Sequence, residues 1–557
     1  MKTVSKAWDW FLRRMPEVFL FLFLVCMSPL VVLVGRGLVK HVVRFVGGPG
    51  AYLGSLSDDP WLTAAIGVCI AGTALMVYVF ARHWGAIWAV GRKTVREALH
   101  RKVTIVLLLF FVVLMPSLPF VLKTEGTPKS QVQLVLLYSL CLALVLMSLV
   151  AIFLTTASVC SEVEHKQVHI TDTKPLRRWQ FLLGKWFGVV VLCTVVLSLM
   201  TAGTYALSVY VAQPPNYDEM PAADAARRKF QQLALAREVF VTRRSVTIDL
   251  PDVSERVNKE VAELMATQGP TLVYQRRKGL TKKYWAEYQT ADQNSGIFWR
   301  FAGLKPGRTE PIQIRFKAIG STGGRIMGRF IPCWGQETPM EEDSVKARLT
   351  LRRSDYDLWS PPEGWVANAF HEFSLPARYI SPEGRFYLAF ENHSGVAVMF
   401  DTIHPIEVLQ PEEGFLPNYY RAVLVLVCHV ALLAALGLMA GSLFSFPVAS
   451  LVVFCLFVGG MVSSWFYSEF VVPTGIIELS SVTFYLDQAW RLFATVVVQV
   501  MPDFGSFSPL GDLVNGRLVS LGHVSRAAAV LVFIKGGAAL LIGMFFYGRR
   551  ELARVIV

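Results

Sequence analysis

The chain carries little charge for its length of 557 residues. Asp, Glu, Lys and Arg make up 17% of it, whereas soluble domains contain about 25% of these residues. Apolar side chains account for 54% of the sequence. This shortage of charge excludes an ordinary soluble protein, because lipid has to be the solvent for much of such a chain.

Sequence patterns of metal sites and disulfide frameworks are also missing. There is no CxxC pair and no Cys/His ligand spacing. Only Cys333 of the eight cysteines falls in a polar segment. The other seven lie in or beside apolar runs, as small buried hydrophobic side chains do: Cys26, Cys69, Cys141, Cys160, Cys193, Cys428 and Cys455.

Motifs for nucleotide and peptide hydrolysis are absent as well. No GxxxxGK[ST] phosphate loop occurs, and the glycine-rich pieces 47–50 and 536–537 lack the Lys-Ser/Thr that would hold phosphate and magnesium. Neither HExxH nor GxSxG is present. We therefore predict that this polypeptide has no catalytic, cofactor-binding or metal-binding residues.

The net charge of +13 would suit a nucleic-acid partner if it formed a basic patch. Residues 212–416 hold 26 Lys and Arg against 26 Asp and Glu, so the whole excess lies among the apolar stretches and their connections. That distribution is typical of a membrane protein with positive cytoplasmic loops. It predicts the lipid bilayer as a partner and no nucleic acid.

Eight apolar stretches are long enough to cross a bilayer, which takes about 20 residues. They cover residues 18–35, 61–81, 103–122, 132–158, 186–211, 422–444, 448–467 and 527–548. A ninth stretch, 489–501, is too short and is predicted to be re-entrant or interfacial. The sequence therefore predicts an α-helical integral membrane protein with about eight transmembrane helices.

The basic residues also predict an orientation. Lys and Arg concentrate in residues 81–102, in 160–185 and at the C-terminus, whereas residues 123–129 are nearly neutral. With eight crossings, all three basic segments and both termini lie in the cytoplasm, and the protein is a multi-pass protein of the inner (plasma) membrane. Positive charge in the first outer loop opposes this count and predicts an interfacial amphipathic helix there.

Residues 212–416 form a large polar insert, which the same count places outside the cytoplasm. Helices are predicted at 222–241 and 253–267. Short apolar runs separated by turn residues predict strands at 312–318, 347–351, 385–391 and 396–401. We therefore predict an extracytoplasmic α+β insert that contains a β-sandwich.

One connection between spans has a distinctive order of residues. Residues 161–185, SEVEHKQVHITDTKPLRRWQFLLGK, begin with Glu162 and Glu164, pass a proline and the basic pair Arg177 and Arg178, and enter the next span through an aromatic stretch. A short element held between two membrane helices can pass a push from a soluble partner into the bilayer. An ordinary charged loop is the alternative.

This connection resembles the signature loop of type-2 ABC exporter permeases, in which S-x-E-x-E leads to K-P-[LV]-[ST]-R-x-x-[FY]-[LIV]-x-G-K. It departs from that pattern at Arg177, where Ser or Thr is common, and at Lys166-Gln167, where Gly-Thr is usual. Residues 95–102, VREALHRK, resemble the family's amphipathic helix before its first core span, and residues 549–552, RREL, resemble its C-terminal ending.

The resemblance implies the membrane-spanning permease subunit of an ATP-binding cassette (ABC) transporter, specifically an exporter. ATP and magnesium would bind a separate ABC ATPase subunit, and a second permease copy or a homologous permease would complete the complex. The implied domains are two N-terminal helices and an amphipathic helix (1–102), three core helices with the coupling loop 160–185 (103–211), the insert (212–416) and three further core helices (417–557).

The resemblance also implies which residues contact the ATPase. They lie in the amphipathic helix and in the loop: Arg92, Lys93, Arg96, Glu97, Arg101, Lys102, Glu162, Glu164, Pro175, Arg177 and Arg178. For the helix, positive charge that only sets topology is the alternative.

The predicted spans contain few ionisable residues, which disfavours an ion-coupled secondary transporter. For His429 the alternatives are a packed neutral imidazole and a proton relay, and for Lys535 they are snorkelling and function. The alternative function is a non-transporting membrane receptor or anchor, with the insert as its binding module.

Overall fold

The computed structural model describes residues 82–99, 127–164, 177–214, 238–249, 253–268, 283–320, 325–333, 364–401, 406–466 and 501–549, with isolated positions elsewhere. Several predictions fall wholly or almost wholly outside these residues: the spans 18–35, 61–81 and 103–122, the strand 347–351 and the short stretch 489–501.

The chain divides into two compact units. The first comprises Met1–Phe240, Phe415–Ser468 and Leu492–Val557, and the second comprises Val241–Gly414 and Glu469–Arg491. The predicted boundaries of the insert, 212 and 416, remain predictions.

The described helices are α1 (82–99), α2 (Pro128–Glu164), α3 (Arg178–Val211), α4 (Ser254–Gln268), α5 (Phe415–Leu443), α6 (Phe446–Phe466), α7 (Leu510–Val514), α8 (Leu521–Ala527) and α9 (Gly537–Arg549). A π-helical segment, Ala528–Gly536, joins α8 to α9.

Five helical stretches of the described chain are long and apolar enough to cross a membrane. They are α2, α3, α5, α6 and the continuous run from α8 to α9. Each coincides with a predicted span, so the chain is a multi-pass membrane protein. The total of eight spans stays a prediction.

The helices begin earlier than their apolar stretches predict. Helix α3 begins at Arg178 rather than at 186, and α5 begins at Phe415 rather than at 422. The reason is that the bundle itself surrounds polar residues at these helix ends: Lys185 is 2% exposed and Arg421 is 6% exposed. Both helices therefore contain a buried cation that the sequence prediction leaves outside the spans.

The helices of the first unit run alternately between two ends. At the end where α2 finishes and α3 starts, here called the loop end, Arg178 donates a hydrogen bond to the carbonyl of Gly548 near the end of α9 (2.8 Å). At the far end, Gln133 near the start of α2 donates to the carbonyl of Val514, the last residue of α7 (2.9 Å). The two contacts fix which helix ends lie together.

Two glycines allow α5 to lie directly against α2. A Cβ atom on Gly437 would lie 1.9 Å from Oγ1 of Thr155, and one on Gly441 would lie 3.2 Å from Cβ of Val159. The small-xxx-small spacing of this pair predicts such a close approach between membrane helices, and the structure confirms it.

The second unit is built mainly of β-strands. They are β1 (Val241–Thr247), β2 (Thr290–Ala291), β3 (Gly296–Ala302), β4 (Ile312–Gly320), β5 (Arg325–Ile326), β6 (Gly328–Cys333), β7 (Trp365–Val366), β8 (Phe370–Leu375), β9 (Arg385–Asn392), β10 (Val398–Phe400) and β11 (Glu407–Gly414). Since β1 begins at Val241, the helix predicted over 222–241 is wrong at its end.

A six-stranded sheet runs in the order β1-β11-β4-β10-β2, with β8 also paired to β4, and a three-stranded sheet runs β3-β9-β6. Strand β4 pairs along one edge first with β11 and then with β10. The larger sheet is therefore curled into a half-barrel, where the sequence predicts a sandwich.

Aromatic side chains from both sheets form one core. The ring of Trp299 in β3 lies 4.9 Å from that of Phe400 in β10, and the rings of Phe316 and Phe330 are 4.7 Å apart. Trp299 and Trp365 are buried. These two tryptophans serve the core and do not form a surface for stacking ligands.

Candidate functional site

Helix α1 has one buried face and one basic face. Ile87, Gly91, Val95 and Ala98 are buried, at the spacing of successive helical turns. Lys93 and Arg96 are exposed on the other side. The apolar stripe therefore packs α1 against other helices of the first unit and leaves these two cationic side chains exposed.

The buried face of α1 crosses α3 at glycines. A Cβ atom on Gly188 would lie 2.7 Å from the carbonyl oxygen of Gly91, and one on Gly184 would lie 2.7 Å from Cβ of Val90. Real Cβ contacts are longer than this. At Gly91 and Gly188 the two backbones are consequently in direct contact, and at Gly184 the backbone of α3 contacts the Val90 side chain.

A buried ion pair links α2 and α3 beside this crossing. Nζ of Lys185 lies 2.6 Å from a carboxylate oxygen of Glu162 and donates to the backbone carbonyl of Ser158 (2.5 Å). The ammonium also lies 4.8 Å from the centre of the Phe181 ring. The C-terminal end of a helix is the negative pole of its dipole, which makes the position of Glu162 near the end of α2 unfavourable. Lys185 offsets this because it places a cation at the same end.

Glu162 also connects α2 to α1. Its other carboxylate oxygen accepts a hydrogen bond from Nζ of Lys93 at 3.2 Å. Glu162 is 4% exposed, and removing one member of a buried pair costs about 3–5 kcal/mol because the other charge is left without compensation. Lys93, Glu162 and Lys185 thus tie together three helices, and we call these residues the charge clamp.

The first turn of α3 adds two further contacts. The backbone N–H of Arg177 donates to the side-chain oxygen of Gln180 (3.0 Å), whose amide nitrogen lies 3.0 Å from Nδ1 of His83 on α1. The ring of Trp179 meets the same imidazole edge-on at 5.0 Å. With the bond from Arg178 to Gly548, the start of α3 is fixed to both α1 and α9.

The residues predicted to contact an ATPase differ in their exposure. Lys93, Arg96, Glu164 and Arg177 are exposed. Arg92, Glu97 and Arg178 are half-buried, and Glu162 is buried. Arg101, Lys102 and Pro175 lie outside the described residues. The contact role of all eleven stays a prediction.

Sequence reasoning missed Lys185 and the three glycines of the crossing. Lys185 enters the sequence analysis only as the last letter of the loop motif. A detectable signal was present, because Gly184-xxx-Gly188 has the same small-xxx-small spacing as the pair on α5. Nothing in the sequence indicates that Lys185 pairs with Glu162, which lies on a different helix.

A second polar region lies away from the charge clamp. Lys535, in the π-helical segment, donates to the carbonyl of Met501 (2.5 Å), and both snorkelling and function stay open for it. Buried His429 meets the ring of Phe504 edge-on at 5.1 Å. This contact favours the packed imidazole over a relay.

The arrangement at the loop end joins helices to one another. Its side chains are ion-paired or hydrogen-bonded to other helices, and no described group of three or more His, Cys, Asp and Glu residues is placed to hold a metal ion. Contacts of this kind can make the helices that they join move jointly.

Comparison with known proteins adds one finding. Residues 88–228 match the family model described as ABC-2 family transporter protein. The matched range contains the charge clamp and the glycine crossing. No curated protein and no solved structure shows significant similarity to the chain.

Proposed function

We propose that this chain, an ABC-2 type permease by its residues 88–228, couples ATP hydrolysis by a separate ATPase subunit to outward movement of a substrate across the inner membrane. ATP and magnesium bind the ATPase. A second permease, identical or homologous, completes the pathway. The loop between α2 and α3 is cytoplasmic, and the insert 212–416 is extracytoplasmic.

The observation that supports this proposal is where the family match falls. It covers α1 from residue 88 and all of α2 and α3, the helices that the charge clamp ties together. Exposed charged side chains surround this junction, namely Lys93, Arg96, Glu164 and Arg177. A soluble ATPase that bound these charges would push on the ends of three helices at once.

Arg177 is the sharpest probe of that contact. Arg177 is exposed, and the sign of its charge can be reversed without breaking the bond that Arg178 makes to α9. Reversing one side of a polar interface places like charges together, at a cost of up to several kcal/mol. We expect Arg177→Glu to leave the permease inserted while the amount of ATPase that co-purifies in mild detergent falls.

Arg244→Glu is the matched control, because Arg244 is also exposed but lies in the second unit. It should leave co-purification and permease-stimulated ATP hydrolysis at the wild-type level. If wild-type permease brings no ATPase with it, the proposed function is wrong. If Arg177→Glu retains its ATPase and full stimulation, Arg177 is not part of the contact.

A further inference from the structure

We propose that Glu162 and Lys185 are positioning residues, which make α1, α2 and α3 move as one body when an ATPase acts at the loop end. This inference rests on the proposed function and deepens it, because it names the link through which a push at the loop reaches the membrane helices.

The first step is the position of the pair in the chain. Glu162 and Lys185 stand on either side of the loop, one at the end of α2 and one near the start of α3. Their 2.6 Å contact closes the base of the loop. A loop whose two ends are joined cannot absorb a push by letting those ends separate.

The second step is the connection to α1. Lys93 reaches the same carboxylate, and the backbone of α1 lies against α3 at Gly91, Gly184 and Gly188. Side chains between helices can change rotamer and let the helices slide. At Gly91 and Gly188 the two backbones are in direct contact, so α1 has little freedom to move independently of α3.

The third step is the chemical character of the pair. A buried ion pair is a poor source of stability, because well-packed apolar residues of the same size do as well or better. Its advantage is directional, since the two charges favour one relative placement of the helices. Because the pair lies between the proposed ATPase contact and three helices, it can transmit movement from the ATPase to those helices.

The test compares variants of the purified permease–ATPase complex. Glu162→Gln combined with Lys185→Met removes both charges and nearly keeps side-chain size. The control combines Lys129→Met with Glu238→Gln, which removes another ion pair of the same unit outside the clamp. Lys185→Arg keeps the cation and should behave like wild type.

The direct readout is the distance between spin labels on α1 and α2, attached at Ala89→Cys and Val145→Cys in a background without native cysteines. Both positions are exposed. We expect one narrow distance distribution in wild type, with and without nucleotide trapped by vanadate. The clamp double variant should broaden it, and the control pair should not.

The second readout is hydrolysis, which a purely structural role would not change in a folded complex. The clamp variant should still unfold cooperatively and retain its ATPase, yet permease-stimulated hydrolysis should fall on the order of tenfold. A narrow distribution together with wild-type stimulation would overturn the inference.

Two further outcomes keep the test decisive. If the double variant does not fold, Lys93→Met removes only the exposed arm of the clamp, and it must broaden the label distance or the link to α1 is wrong. If wild-type permease binds no ATPase, the proposed function fails, while the nucleotide-free distances still decide whether the clamp holds the helices together.

Discussion

The contact between α1 and α3 depends on the absence of one side chain. At Gly188 a methyl group would lie 2.7 Å from the backbone oxygen of Gly91, so Gly188→Ala must push α1 away from α3. We expect a loss of about 1–3 kcal/mol in the free energy of unfolding, as for other overpacked sites. Thermal unfolding in detergent measures it.

Gly85→Ala is the control, since Gly85 lies in α1, the helix that Gly188 contacts, and a Cβ atom there would meet nothing within 4 Å. Alanine is the better helix former by up to about 1 kcal/mol, so this variant should be as stable as wild type or more stable. Equal destabilisation by both changes would refute the steric account of the crossing.

Asn392 anchors the β-structure through the donors of its side-chain amide. Nδ2 lies within 3.1 Å of the carbonyl oxygens of Ala291, Asp292 and Val396, and the residue is 1% exposed. Asn392→Asp would turn a donor toward these oxygens into an acceptor. We expect a loss of at least about 2 kcal/mol, measured by thermal unfolding, whereas exposed Asn294→Asp should change little.

At the scale of elements, the π-helical segment Ala528–Gly536 directs a lysine to a backbone carbonyl. Lys535 binds the carbonyl of Met501, and the next residues are held by the bond from the N–H of Phe504 to the carbonyl of Gly460 (3.1 Å). We expect Lys535→Met to loosen residues 501–506, since a hydrogen bond to a charged group contributes about 1.5 kcal/mol or more.

The measurement is the rate at which a water-soluble maleimide labels Ser506→Cys, an exposed position of the same segment. A loss of about 1.4 kcal/mol corresponds to roughly tenfold more frequent opening, so labelling should accelerate by up to that factor. Lys535→Arg should label at the wild-type rate. Unchanged labelling in Lys535→Met would show that Lys535 does not hold residues 501–506 in place.

Elements were predictable from sequence where one periodicity dominates. The long apolar runs predict α2, α3, α5 and α6 because lipid and neighbouring helices both require apolar side chains. Their first turns were not predictable, since residues such as Arg178 and Lys185 are polar and become acceptable only through partners on other helices. In the second unit, β9 follows from the run 385–391, but the curl of the sheet depends on β4 changing partners.

The candidate site was predictable as a segment but not as a set of contacts. The family resemblance of residues 161–185 predicts a coupling loop, with Glu162 as a surface residue that contacts the ATPase. In the structure Glu162 is buried because Lys185 and Lys93 compensate its charge. Ion pairs between distant residues leave no local pattern, whereas the glycine spacing at 184 and 188 does.

For the whole molecule, contacts at the two ends of the first unit constrain the topology. The bond from Arg178 to Gly548 puts the start of α3 and the end of α9 at the same end. The bond from Gln133 to Val514 puts the start of α2 at the other. Residues 165–176 and the chain after α9 should therefore share one side of the membrane, whatever the path of residues 1–77.

The corresponding experiment introduces single cysteines in a background without the native eight. Between Asp172 and Asn294 the only described span is α3, so membrane-impermeant reagent should label these two positions from opposite sides. Arg550 should label from the side of Asp172. Positive loops are retained in the cytoplasm, so we expect Asp172 and Arg550 there and Asn294 outside. If Asp172 and Asn294 label from the same side, α3 does not cross the bilayer, and neither the eight-span topology nor a transport pathway between these helices can stand.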